Sequence, residues 1–320
     1  MTRQPFQLDS GPMLMTFPNS PSIRKGILLA GGAGTRLHPM TIPVSKQLLP
    51  VYDKPLVYYP LSVLMLSGVR EVMLISTPRD LPAFQALLGD GKEWGMSFSY
   101  AVQDQPRGLP EAYMIAEDFL DGSPSMLILG DNLLYGSLLS EQLRSAAAEP
   151  DGACLFAYRV RNPEEFGVVT FDRDGKPASL IEKPTEPPSP WAVIGLYLLD
   201  GRAPALAAEL APSPRGELEI VDLLRKYLEE GTLRAELLGR GISWLDTGTP
   251  HALLQAAHFV EVIQERQGLQ VASPEEIAFR MGYIDADQLK SLAQRLNKTI
   301  YGEYLLRLAA EDRAGGVPGV

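Results

Sequence analysis

From Ile23 onward the chain alternates short apolar runs with longer amphipathic stretches. The runs Gly26–Ala30, Glu71–Ser76, Phe98–Val102, Met126–Leu129 and Ala153–Tyr158 lie between Gly- and Pro-containing turns and are too short for helices, so they read as buried strands. Leu56–Ser67 and Leu81–Leu88, between them, carry helix-like patterns. Strand, helix and strand in turn predict an α/β fold, a mostly parallel sheet flanked by helices. Its ligand site is expected at the carboxyl ends of the strands. Phe166–Asp172 and Trp191–Leu199 add strands in a half that admits antiparallel pairing, with a Pro-rich loop, Pro184–Pro190, between them. After Gly248 the pattern turns helical. Ser273-Pro274-Glu275-Glu276 predicts a helix start with a capping box, and Asp285-Ala286-Asp287-Gln288 repeats the signal. Residues 1–22 have no periodicity and read as a disordered extension. The tail over 315–320 is expected to fray.

Composition narrows the function classes. A chain of 320 residues can bury a sizeable core. Its net charge of −10 argues against a nucleic acid or an anionic membrane held by bulk electrostatics. Local Arg and Lys still allow a small anionic substrate. No apolar run is long enough to span a bilayer, and the first residues lack the continuous apolar stretch of a secretory signal. The single cysteine, Cys154, cannot form an internal disulfide and reads as a buried, inert thiol. A cytoplasmic address follows from these features.

The most informative segment is Leu28–Pro50. An apolar strand ends at Ala30, and Gly31, Gly32 and Gly34 follow. Glycines there let successive backbone N–H groups face one concavity, a nest for phosphate oxygens. Arg36 and Lys46 can neutralise a polyphosphate. Thr35-Arg36 is not the Gly-Lys-Ser/Thr of a P-loop, and Leu37 stands where a dinucleotide fingerprint needs glycine. A plain tight turn is the competing reading, and the two basic residues count against it. Asp131 follows the strand Met126–Gly130 directly, and Asp246 lies in a second apolar-to-glycine transition. One strand-end aspartate is usually a turn or cap residue. Two beside a phosphate nest suggest a magnesium site.

Gly31–Thr41, GGAGTRLHPMT, with Ser45–Pro50, SKQLLP, resembles the signature of the sugar-phosphate nucleotidyltransferases. The continuation VYDKPLVYYPLSVLML, Val51–Leu66, resembles their glucose-1-phosphate thymidylyltransferase branch, and the similarity runs from about Ile23 to about Leu305. The resemblance implies a Rossmann-like sheet of the nucleotide-diphospho-sugar transferase type. It implies a catalytic domain over 23–250 and a helical region over 251–320 that carries oligomer contacts. The implied reaction joins dTTP and glucose 1-phosphate, with Mg²⁺, to give dTDP-glucose and pyrophosphate at the start of dTDP-rhamnose or other deoxysugar synthesis. The implied assembly is a homotetramer, a dimer of dimers.

Carried over residue by residue, the resemblance makes Arg36, Lys46, Asp131, Lys183 and Asp246 catalytic, with Asp131 and Asp246 serving the metal. Leu29, Gly31, Gly32, Gly34, Thr35, Gln103, Gly108 and Asp131 would hold the nucleotide. A Gln103 amide can donate and accept at the O4 and N3–H edge that thymine and uracil share. Asn132, Gly167, Glu182, Lys183, Val193, Tyr197 and Arg215 would hold the sugar phosphate, Lys183 at its phosphate and Glu182 at its hydroxyls. Glu276, Ile277 and Arg280 match a second nucleotide site used for feedback by a deoxysugar product. The chain departs from the family pattern at Arg107 and Glu111, where an acid and an amide are usual, and at Ser140, Ile194 and Val221. The chemistry needs no general base, because a sugar 1-phosphate has a second pKa of about 6 and is already anionic. Only three histidines are present. A different nucleotide or hexose, a non-catalytic nucleotide-binding relative, and a dinucleotide-dependent oxidoreductase are the competing classes.

Overall fold

Strand β1, Lys25–Ala30, is buried on both faces, and its continuous apolar run follows from that position. The structure, a computed structural model, describes residues 23–32 and 34–313; the expected extension over 1–22, the tail over 315–320 and Ala33 lie outside the described residues. The strands β2 (Glu71–Ser76), β3 (Ser97–Val102) and β4 (Ser125–Leu129) run parallel to β1 in the order β4-β1-β2-β3. Their register is tight. Ala30 pairs with Ser76, Ser76 with Val102, and Leu29 with Leu129. Gly31, Gln103 and Asp131, which follow these strands, therefore emerge on one edge of the sheet.

The second half completes the mixed nine-stranded sheet. Its strands are β6 (Ala153–Arg159), β7 (Gly167–Phe171), β8 (Pro177–Glu182), β9 (Trp191–Leu199) and β10 (Leu233–Leu238). β9 runs antiparallel to β4, β6 and β7, and β8 runs antiparallel to β7, while β10 is parallel to β6. Every strand of the sheet except β8 and β9 thus points the same way, the mostly parallel arrangement expected. Apart from the sheet, β5 (Asn132–Gly136) and β11 (Ile242–Asp246) form an antiparallel ribbon. That ribbon was not legible in the apolar pattern. Glu182 is the last residue of β8.

Helix Tyr58–Leu66 has almost no polar face because it is covered on both sides. Sheet residues Leu28 and Met126, helix residue Leu64 and the later helical residues Ile277, Leu289 and Leu305 all belong to one buried cluster. The helices Pro250–Gln267, Pro274–Arg280, Ala286–Arg295 and Ile300–Arg313 confirm the helical reading beyond Gly248. Cys154 lies buried in β6, and burial pushes its thiol up to about 12. Among the described residues no helix is long and apolar enough to cross a membrane.

The two expected capping boxes differ. At Asp285 the box is complete, with Gln288 N donating to Asp285 Oδ1 at 2.8 Å and Asp285 N donating to Gln288 Oε1 at 2.9 Å. At Ser273 only half forms. Glu276 N donates to Ser273 Oγ at 3.3 Å, but the Glu276 carboxylate accepts from Arg280 Nε at 2.8 Å instead of folding back. The available cation one turn on outcompetes the cap. Asp285→Ala is expected to cost about 1 kcal/mol and to lower the thermal midpoint by roughly 1–3 °C. An unchanged melting curve would show that the cap contributes nothing.

Candidate active site

The glycine turn lies at the end of β1. Gly32 has φ 93°, and a Cβ there would meet nothing within 4 Å, so its backbone faces open space where an anion can approach. Gly34 caps the short 3₁₀ turn Thr35–Leu37, and Thr41 Oγ1 donates to its carbonyl at 2.7 Å. Thr35 and Arg36 on that turn are exposed, while Leu29 beneath it is buried. A recess of about 230 Å³ is lined by Gly32, Thr77, Arg79, Gln103, Asp104 and Pro106. The glycine turn and the base-reading candidate thus share one hollow. Gly108 is demanded by a different contact: a Cβ there would lie 2.0 Å from the Leu218 carbonyl oxygen, where the two segments form a β-bridge.

The acidic residues meet through the ribbon. Asp246 pairs with Asn132, so it sits beside Asp131 although the chain between them runs through half the fold. Asp131 Oδ2 accepts from Lys46 Nζ at 2.7 Å, and that lysine is buried. Thr247 Oγ1 donates to the Asp131 carbonyl at 3.0 Å. Burial, and next the Asp131 charge, raise the Asp246 carboxyl above the usual carboxylate range, while Lys46 and Arg36 pull it down. Arg36 Nη2 lies 3.0 Å from the place of a Cβ on Gly248, beside the Asp246 carboxylate. Two basic and two acidic side chains are therefore packed at the strand ends.

The sugar-side candidates gather at β7, β8 and β9. Gly167 pairs with both Glu182 and Val193. A Cβ on Gly167 would stand 2.9 Å from Val221 Cγ2 and 3.3 Å from Glu182 Oε2. Arg215 Nη2 donates to Glu182 Oε1 at 3.1 Å and lies 2.9 Å from Glu219 Oε2. Lys183 Nζ is 3.7 Å from Glu182 and exposed, on a backbone at φ 42°, a conformation side chains other than Gly and Asn rarely adopt. Strain of that kind clusters where a side chain must be aimed. Tyr197 is only 3 % exposed and lies in the core; burial, and next Glu182, push its phenol upward.

Trp244 joins the two halves of the site, and sequence reasoning had missed it. Its indole Nε1 donates to Asn132 Oδ1, and its ring packs edge-on against Phe166 with centroids 5.2 Å apart. The Phe166 carbonyl in turn accepts from Lys183 N at 3.0 Å. The available signal was alternation: Trp244 and Asp246, two places apart on one strand, share a face. Glu219 and Thr247 carried no comparable signal.

Glu276, Ile277 and Arg280 lie elsewhere, on the helix Pro274–Arg280. Ile277 is buried, and the two charged residues pair with each other. A larger cavity of about 610 Å³ opens near that helical layer, lined by Tyr52, Lys54, Tyr58, Glu275 and Tyr301 among others. It contains none of the residues above. Its buried Lys54 already donates to Asp53, Gln264 and Gln270. The smaller recess, at the glycine turn and Gln103, has the residues that the sequence singles out.

Residues 25–262 match the nucleotidyl transferase family. The glucose-1-phosphate thymidylyltransferase of Xanthomonas campestris pv. campestris (strain B100) is 58% identical over 286 residues, which cover 89% of this chain and 97% of that protein. The protein of the same name from Mycobacterium tuberculosis (strain CDC 1551 / Oshkosh) is 50% identical, over 89% of this chain and 98% of its own. Among solved structures, a candidate glucose-1-phosphate thymidylyltransferase from Bacillus anthracis, in complex with a sucrose, superposes with a TM-score of 0.68 at 36% identity. It covers 74% of this chain and 94% of that one. A UDP-glucose pyrophosphorylase complexed with UDP-glucose, with a TM-score of 0.67 and 24% identity over 75% of this chain and 99% of its own, shares the fold.

Proposed function

The chain belongs to the nucleotidyl transferase family, and on that premise we propose that it transfers a deoxythymidylyl group from dTTP to glucose 1-phosphate. The products are dTDP-glucose and pyrophosphate. The observation that carries this reading is the packing of Lys46, Asp131, Asp246 and Arg36 at the strand ends beside the glycine turn. The thymidylyltransferase relatives, which cover 89% of the chain, support the choice of nucleotide and sugar.

A phosphate oxygen of the sugar phosphate attacks the α-phosphorus in line. The Pα–O bond to the β-phosphate breaks, and its electron pair leaves with pyrophosphate. The obstacles are repulsion between two anions and charge on the leaving group, so positive charge and alignment do the catalysis. Arg36 and the backbone of Gly31, Gly32 and Gly34 would take the triphosphate, Lys46 positions Asp131, and Lys183 with Arg215 would take the sugar phosphate. Asn132, held by Trp244, Val193 and Gly167 shape the sugar side, with Glu182 accepting from hydroxyls.

Asp131 and Asp246 fit Mg²⁺, a hard cation that takes one or two carboxylates and leaves its other positions to phosphate and water. Burial first, and then the neighbouring Asp131 charge, raise the Asp246 carboxyl, and a cation between the two acids would relieve both effects. Bound there, Mg²⁺ would screen the triphosphate and stabilise the departing pyrophosphate.

The reading places the protein in the cytoplasm with its substrates, in a catalytic domain over 23–250 followed by a helical region. A tetramer built from dimers is what the resemblance implies, and Leu254 and Val262, 57% and 56% exposed on the helix Pro250–Gln267, are apolar side chains open to a partner copy. The test is pyrophosphate release from glucose 1-phosphate with Mg²⁺, comparing dTTP, UTP, CTP, ATP and GTP. A dTTP preference with UTP second is expected. A purine preference, or no turnover, would overturn the assignment.

A further inference from the structure

A free Gln103 amide could present either end to a base. Its surroundings are more restrictive. Nε2 donates to Glu111 Oε2 at 2.7 Å and lies 3.5 Å from the Gly108 carbonyl oxygen. Both amide hydrogens are thus directed toward acceptors of the protein. Glu111 is itself held from the far side, Arg107 Nη1 donating to Glu111 Oε1 at 3.2 Å. A carboxylate paired with arginine can only accept, so only the nitrogen end of the amide can face it. The oxygen is left on the other side, where Oε1 lies 3.1 Å from the place of a Cβ on Gly31. Gln103 is 6 % exposed and lines the recess beside Gly32, so its amide cannot turn without breaking these bonds.

Resting on the pyrimidine-nucleotide reading above, we propose that Arg107 and Glu111 are positioning residues that lock the Gln103 amide with its oxygen toward the base. The site then offers an acceptor. Thymine and uracil present N3–H to it, whereas cytosine in the same pose sets the N3 lone pair against the oxygen and must shift to bring its N4 amine there. The specificity against cytosine comes from a side chain that does not itself touch the base. The departures at Arg107 and Glu111 form a replacement pair, since the cation at one anchors the acid at the other.

The test compares kcat/KM for dTTP and dCTP, which share a sugar and triphosphate, at saturating glucose 1-phosphate. Glu111→Leu frees the amide to turn and offer its N–H to cytosine. It is expected to lower the dTTP-to-dCTP ratio about tenfold or more, chiefly through a higher dTTP KM and a lower dCTP KM. Glu111→Gln, whose carbonyl can still accept from Gln103, should keep the ratio within about threefold. Arg107→Ala, at a side chain 63% exposed, should fold normally and shift the ratio in the same direction by a smaller factor. Damage to folding or to chemistry would slow both nucleotides alike and leave the ratio unchanged. An unchanged ratio in both Glu111→Leu and Arg107→Ala overturns the proposal alone. Failure of the unsubstituted chain to use dTTP or UTP overturns the parent reading, and this one with it.

Discussion

Asp131→Asn is expected to fold normally and to release pyrophosphate at least about a thousandfold more slowly than the unsubstituted chain. The argument for activity is charge. Asparagine keeps the shape of the side chain at the end of β4 but removes one of the two carboxylates. On the mechanism proposed above, a neutral amide is a poor substitute for a carboxylate that would hold a divalent cation against the triphosphate. Stability is the harder requirement, because Lys46 Nζ, 2.7 Å away, has a side chain only 8% exposed, and stripping a partner from a buried charge is usually costly. Here a second acid stands by. Asp131 is one reason the Asp246 carboxyl is raised, so removing it lets Asp246 ionise more readily and balance Lys46. The asparagine oxygen can also still accept from Lys46. Turnover and a thermal melt on the same preparation decide it. A folded variant within about tenfold of full activity would remove Asp131 from the mechanism.

Lys183→Ala is the second large effect. A loss of about a hundred- to a thousandfold is expected in kcat/KM for glucose 1-phosphate, with the dTTP KM within a few-fold of normal. Lys183 makes little contribution to the fold. Its side chain is 48% exposed, its nearest acid is 3.7 Å away, and an exposed pair of that kind is worth at most about 1 kcal/mol. The residue nonetheless occupies a left-handed backbone conformation, which stability alone does not explain. Lys183→Arg should recover part of the loss, because the charge returns on a different shape. Equal losses for both substrates, or normal kinetics, would place Lys183 outside the sugar-phosphate site.

The first strands and the glycine turn could be located along the chain because each depends on local pattern. β1 through β4 are apolar runs with turn residues at their ends, and their parallel register carries Gly31, Gln103 and Asp131 to one edge. The ribbon of β5 and β11 could not be read so. NLLYG and ISWLD are five residues each, and what makes them strands is one another, from opposite halves of the chain. β10, LRAELL, is built of helix formers and is a strand because it completes the ladder with β6. The side chains that touch substrate in the resemblance were all identifiable from motifs. Their supports were not. Trp244 on Asn132 is a contact made by the pairing of β5 with β11, and Glu111 on Gln103 joins a helix start to the residue after β3; alternation puts Trp244 on the face of Asp246 but does not name its partner.

The ribbon also fixes when the site comes into being. A nascent chain that has exposed residues up to Leu129 already contains β1 through β4, with the glycine turn, Arg36 and Lys46. It lacks the acid opposite Asn132 until β11 has left the ribosome. During synthesis the residues of the cationic half are therefore present before the second carboxylate has been made. The acid pair closes as a late, long-range step whose cost is the loop of more than a hundred residues between its members.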